Sequence, residues 1–174
     1  MHVLFIDACP RPREQSRSYR LGVAFLDAYV AAHPDARVET MRLDEMQLAP
    51  LTGEAEARRS ELIVVCAPYW DFAFPASLKV LIEHVCVRTL TFTYVNDRPV
   101  GLCRAQDLVY LTTSGSPIGA NNWGGDYLRA VTGGLLGVKR FHQISAEGLD
   151  CAAADPETIM KDAIARAQAL AAGL

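Results

Sequence analysis

The sequence has no C-x-x-C pair, no group of cysteines and histidines at zinc-ligand spacing, and no uninterrupted apolar run of about 18 residues. Its five cysteines, Cys9, Cys66, Cys86, Cys103 and Cys151, are scattered and odd in number. Free structural thiols in a reducing compartment are therefore expected, with no metal site and no disulfide framework. The missing membrane-length run excludes a spanning helix, and with no signal-peptide pattern at the start a cytoplasmic protein is expected. Dense basic patches are also missing, and the formal net charge is −3, so neither nucleic acid nor an anionic membrane is an expected partner. Repeats, linkers and low-complexity tracts do not occur, which predicts a single domain over residues 1–174.

What is present alternates in type. His2–Ile6 reads as a buried strand, and from Ser18 the residues Leu21, Phe25, Ala28 and Ala32 recur at helical spacing until Pro34. Val38–Leu43 is a second strand, followed by a short connection over 44–60 whose Glu54–Arg59 portion suits a turn or two of helix. Leu62–Ala67 is the third strand and 76–87 the next helix. The stretch 91–101, TFTYVNDRPVG, alternates β-formers around Asn96-Asp97 and predicts a hairpin. A fourth strand at Leu108–Thr113, a helix over 127–136, a fifth strand at 138–145 and a last helix from Pro156 behind an Asp155 N-cap complete the order. The expected fold is α/β, a doubly wound five-stranded parallel sheet in the order 2-1-3-4-5 with helices on both faces. Ligands of such sheets bind at the carboxyl ends of the strands, so the loops after strands one, three and four should meet at one site.

The first loop, CPRPREQSRS, ends at a helix start carrying Ser16, Arg17 and Ser18. Hydroxyls and free amides at a helix N-terminus suit a phosphate, and plain N-capping with solvated arginines explains the same residues equally well. Low-molecular-weight tyrosine phosphatases carry C-x5-R-[ST] in this loop, and Cys9 and Asp155-Pro156 sit where their nucleophile and general acid do. Gln15 stands where their arginine belongs, however, and Pro10 and Pro12 remove two amide donors, so phosphatase activity is not expected.

The third loop, PYWDFAFP, holds Tyr69, Trp70, Phe72 and Phe74 between Pro68 and Pro75. Edges and faces of this kind, beside loop amides, match a planar heteroaromatic ring; packing in a core or subunit interface is the alternative.

These residues resemble the flavodoxin-fold FMN-dependent NADH-azoreductases and NAD(P)H:quinone reductases. The likeness rests on Pro68-Tyr69-Trp70-Asp71-Phe72 with Leu78-Lys79, on Thr91-Phe92-Thr93-Tyr94, on Ser16-Arg17-Ser18, on Thr112-Thr113-Ser114-Gly115-Ser116, and on Ala146-Glu147-Gly148. The resemblance implies FMN, with its phosphate at Ser16, Arg17 and Ser18 and its ring between Pro68, Tyr69, Trp70, Asp71, Phe72 and Thr113, Ser114, Gly115, Ser116. It implies NADH or NADPH as donor, a quinone or azo acceptor at the same flavin face, ping-pong turnover, and a homodimer with the pocket at its interface. Tyr94, Asn121, Asn122 and Trp123 are candidate substrate or lid contacts, and no side chain is needed as a catalytic nucleophile because the flavin carries the chemistry. A protein of this fold that keeps a flavin or a partner without turnover is the second reading. The departures from the family pattern are Cys9-Pro10 for a serine, Asp71 for an asparagine, Ser116-Pro117 for a second glycine, and the shortened connection between strands two and three. A phosphoacceptor role for Asp7 lacks an adjacent acid, and Lys139 stands at the start of strand five rather than its end. His84 and His142 read as structural.

Overall fold

The computed structural model describes residues 1–45 and 54–174. Part of the 44–60 connection therefore lies outside the described residues. Strands β1 (His2–Asp7), β2 (Arg37–Arg42), β3 (Leu62–Cys66), β6 (Asp107–Thr113) and β7 (Arg140–Ala146) form one parallel sheet in the order β2-β1-β3-β6-β7. Numbered within the sheet, this is the expected 2-1-3-4-5 order.

Alternation along the strands builds two cores. Val3, Phe5, Leu62, Val64, Val109 and Leu111 face α1 (Arg17–Ala32) and α5 (Pro156–Gly173). Leu4, Ile6, Ile63, Val65, Leu108 and Tyr110 face the other way, toward α3 (Ala76–Val85), α4 (Trp123–Val131) and Ala57 of the short α2 (Glu54–Arg59). Because both faces are covered, the inner strands are apolar throughout, and each large side chain taken out of water contributes about 1.5–3 kcal/mol. Helix α1 packs close because Gly22 lies where a Cβ would sit 3.0 Å from both Phe5 and Cys66. The last helix begins as its sequence predicts: Asp155 accepts from the amides of Glu157 and Thr158, and Pro156 needs no partner in the first turn.

The 91–101 stretch is the expected hairpin, β4 (Phe92–Val95) paired antiparallel with β5 (Arg98–Gly101). Asn96 and Asp97 both take positive φ, 50° and 60°, as a two-residue turn of right-handed twist requires. The hairpin leaves from the amino edge of the sheet. Its exit is bonded to Leu136, Arg58 and Glu61 through the amides of Cys103, Arg104 and Gln106, and Gly101 packs directly on Gly137.

Helix α4 starts at Trp123, four residues before the expected Tyr127. Gly124 and Gly125 read locally as helix breakers, but here they are contact surfaces. A Cβ on Gly124 would meet the Ala73 backbone at 2.9 Å, and one on Gly125 would meet Gln143 at 2.3 Å. The helix then widens into a π-type turn over Thr132–Leu136 and stops at Gly137, whose φ of 87° only glycine adopts cheaply.

Candidate functional site

The loops leaving the carboxyl ends of β1, β3, β6 and β7 border one open cleft. The β1–α1 loop brings Pro10, Arg11, Gln15, Ser16, Arg17 and Ser18; the β3–α3 loop brings Pro68, Tyr69 and Trp70. Thr113, Ser114 and Gly115 come from the end of β6, and Leu149 and Asp150 from the β7–α5 loop.

At the start of α1, Ser16 is the N-cap, its Oγ accepting from the Tyr19 amide at 3.1 Å. Among the described residues, the amides of Arg17 and Ser18 have no acceptor within the chain. Two free N–H groups at the positive end of a sixteen-residue helix form an anion cradle, and the Ser16 hydroxyl hydrogen is available to the same anion. Ser18 Oγ lies 2.6 Å from Thr113 Oγ1, and the Tyr69 amide donates to Thr113 O at 2.9 Å. These bonds fix the helix start, the aromatic loop and the end of β6 against one another.

The aromatic loop is held by a tight turn. Trp70 and Ala73 exchange backbone hydrogen bonds, and between them Asp71 and Phe72 sit at φ 50° and 65°. Such a conformation is uncommon for aspartate and strained for phenylalanine, and strain of this kind gathers at binding sites. The turn sets Trp70 at the cleft and swings Asp71 and Phe72 outward. Phe72 then meets Trp123 at a ring separation of 5.5 Å, and the Gly124 amide donates to Phe72 O. Tyr69 Oη donates to Asn121 O at 2.8 Å, so the 118–122 loop is tied to the same wall.

The expected residues Ser16, Arg17, Ser18, Pro68, Tyr69, Trp70, Thr113, Ser114 and Gly115 thus come together in one cleft. Asp71, Phe72 and Ser116 stand outside its lining; Ser116 contributes a carbonyl that takes the Ser114 hydroxyl. Asn121 and Trp123 adjoin the aromatic wall, whereas the Asn122 side chain is committed to a reciprocal pair with Gln143 at 2.9 and 3.1 Å. Tyr94, on the hairpin at the opposite edge of the sheet, is not brought to the cleft of its own chain. The sequence reading missed Leu149 and Asp150. Their signal is Gly148, at φ 75° just after a strand of the sheet, which turns the chain back toward the site.

Cys9 is 4% exposed, with its Sγ 3.7 Å from Cys66 Sγ and pointed into the sheet–α1 core. Burial, with Cys9 alongside, pushes the Cys66 thiol well up. A cysteine placed this way does not present its sulfur to the cleft. Asp155 is committed to capping α5, which removes both halves of the phosphatase comparison. Asp7 is buried, accepts from the Cys9 amide at 3.2 Å and lies 3.8–3.9 Å from the guanidinium Nε atoms of Arg13 and Arg42. Lys139 starts the run into β7 at the far edge, out of its reach. His142 bonds Asp107 at the amino edge and His84 lies on α3, both remote from the cleft lining.

The chain is thus a crossover parallel sheet of the doubly wound class, with an anion cradle at its first helix and an aromatic wall after its third strand. The family described as having a flavodoxin-like fold matches residues 1–171. The chain is 30% identical over 207 residues to the FMN-dependent NADH:quinone oxidoreductase of Trichlorobacter lovleyi, covering 98% of each chain. It is 29% identical over 192 residues to FMN-dependent NADH:quinone oxidoreductase 2 of Clostridium acetobutylicum, covering 95% of this chain and 96% of that one. Among solved structures, the azoreductase AzrA superimposes with a TM-score of 0.86 at 23% identity over the whole of both chains. An FMN-dependent NADH-azoreductase of Bacillus anthracis, in complex with FMN, gives 0.86 at 18% identity, covering 99% of this chain and 98% of that one. The chain belongs to this flavodoxin-like family, alongside the FMN-dependent NADH:quinone oxidoreductases.

Proposed function

We propose that this chain binds FMN in the cleft and acts as an NADH-dependent oxidoreductase that reduces flat acceptors such as quinones and azo compounds, with ping-pong kinetics. The observation that carries the reading is the meeting of a free-amide anion cradle with an aromatic wall across one cleft. The residues present fit the cofactor: the Arg17 and Ser18 amides and the Ser16 hydroxyl can take a phosphate, and Tyr69 and Trp70 offer an aromatic wall in the same cleft. When bound, FMN supplies the two-electron chemistry, taking hydride from a nicotinamide and giving up electrons to an acceptor.

The chain itself binds, orients and shields. Pro68 and the Asp71-Phe72 turn hold Trp70 at the cleft without further ordering cost on binding. Trp70, 42% exposed and lining the cleft, offers an apolar rim to the nicotinamide and to the acceptor in turn. One rim serving both substrates favours alternate occupancy, the source of the ping-pong expectation. A homodimer suits Tyr94, Val95 and Val100 of the hairpin, which stay about half exposed in the single chain; the hairpin of one subunit then covers the cleft of the other. A cytoplasmic location accords with the scattered free thiols; among the described residues no helix is long and apolar enough to cross a membrane.

The test is a visible spectrum of the purified protein after incubation with FMN and desalting, followed by anaerobic NADH, then NADPH in a parallel sample. A retained flavin band that bleaches with donor and returns on adding a quinone supports the reading. Retained flavin that no donor bleaches leaves a flavin-binding protein without turnover. No retained flavin and no quenching in a titration overturns it.

A further inference from the structure

Arg17 is the guanidinium at the mouth of the anion cradle, and it is already engaged: its Nη1 lies 2.8 Å from Asp150 Oδ1. Asp150 is held there by the backbone. Its amide donates to Gly115 O at 2.9 Å, and the preceding Leu149 amide donates to Ser114 O at 3.1 Å. A Cβ at position 115 would come within 2.5 Å of Asp150 Oδ2, so the carboxylate occupies space that only a glycine leaves open. Arg17 and Asp150 both line the cleft with Ser16 and Ser18. Beside it stand the free amides of Arg17 and Ser18, the Ser16 hydroxyl and Arg11; the rest of the loop adds little. Pro10 and Pro12 have no amide hydrogen, Gln15 is neutral, and the Ser18 hydroxyl is shared with Thr113.

A carboxylate and a phosphate are rival anions for one guanidinium. We infer that Asp150 is an internal competitor for the cofactor's phosphate. It draws off part of the charge of Arg17, so this chain favours FMN over riboflavin by less than it would without Asp150. The inference rests on the flavin reading of the cleft and goes beyond it by naming the residue that sets phosphate affinity. Both partners are substantially exposed, at 43% and 68%, so solvent and salt screen the pair. The competition therefore changes affinity by a modest factor rather than by orders of magnitude.

The experiment measures dissociation constants of FMN and riboflavin, by quenching of flavin fluorescence, for the full chain and for Asp150→Asn, Arg17→Ala and the double variant, at low and high ionic strength. Asp150→Asn is expected to tighten FMN about fivefold and leave riboflavin unchanged, as freeing one exposed, screened guanidinium for the phosphate predicts. The gain should vanish in the double variant and shrink in high salt. An Asp150→Asn variant that binds FMN no better, or worse, overturns the inference; weaker binding makes Asp150 a support that aims Arg17. Equal shifts for both flavins also overturn it, because the phosphate is then not what Asp150 senses. If neither flavin binds the wild type or the variant, the cofactor reading itself fails, a result distinct from bound flavin with no Asp150 effect.

Discussion

Ser18 Oγ and Thr113 Oγ1 stand 2.6 Å apart, both residues buried, joining the first turn of α1 to the last residue of β6. This bond sets the distance between the anion cradle and the opposite wall of the cleft. Thr113→Val keeps the shape and removes the partner, leaving a buried hydroxyl unsatisfied. We expect a loss of about 1–3 kcal/mol in urea unfolding and weaker FMN binding, with Ser18→Ala/Thr113→Val recovering part of the stability. Unchanged stability in the single variant would sink the assignment.

A second prediction concerns acid sensitivity. Asp107 lies at the amino edge of the sheet, where it accepts two bonds from Arg140, both at 2.6 Å, and one from His142 at 2.9 Å. Burial pushes its carboxyl up, but the bonds from Arg140 and then His142 outweigh this and hold it below the usual carboxylate range. A lowered folded-state pKa means the contribution is fully present above the unfolded value, near pH 4, and is lost as pH falls through the folded one. Asp107→Asn should therefore lower stability at neutral pH by about 1–3 kcal/mol and flatten the loss below pH 4. Parallel stability curves for wild type and variant from pH 7 down to pH 2 would contradict this.

The hairpin turn offers a gain in stability. Asp97 holds φ 60° at the second position of its turn, where glycine is the preferred residue. Asp97→Gly should raise stability by roughly 0.5–1 kcal/mol, read as a higher melting temperature. Flavin binding by the isolated chain should be unaffected, because the hairpin leaves from the far edge of the sheet. A lower melting temperature would mean the aspartate side chain supports the turn by another contact.

Cys9 gives a chemical control. With its thiol turned onto Cys66 beneath the cleft, the protein should release no phosphate from an aryl phosphate. Cys9→Ala should cost about 1–2 kcal/mol of packing while donor-dependent turnover per bound flavin persists. Phosphate release that disappears in Cys9→Ala would restore the phosphatase comparison.

Much of the fold was legible along the chain because its signals are local. Apolar runs bounded by Pro34, Pro68 and Pro75 separate strands from helices, and Asn96-Asp97 announces its own turn. The start of α4 was not legible, because Gly124 and Gly125 are helix-breaking by propensity and acceptable only where Ala73 and Gln143 crowd them. The site divides in the same way. Ser16, Arg17 and Ser18 follow a strand and open a helix, and Tyr69 and Trp70 lie between two prolines, so both stretches stand out from sequence alone. Asp150 does not, since nothing near it in the chain says that it reaches across to Arg17, 133 residues away.

By itself the sequence determined the order of elements, the doubly wound class and the three loops that carry the site, because periodicity, prolines and caps act over a few residues. Only the tertiary structure decided that Asp71 and Phe72 turn away from the cleft and that Tyr94 lies at the opposite edge. It also decided that Asp150 takes up the charge of Arg17. Those outcomes depend on which strand ends become neighbours, and that follows from the crossover winding of the sheet rather than from any local run of residues.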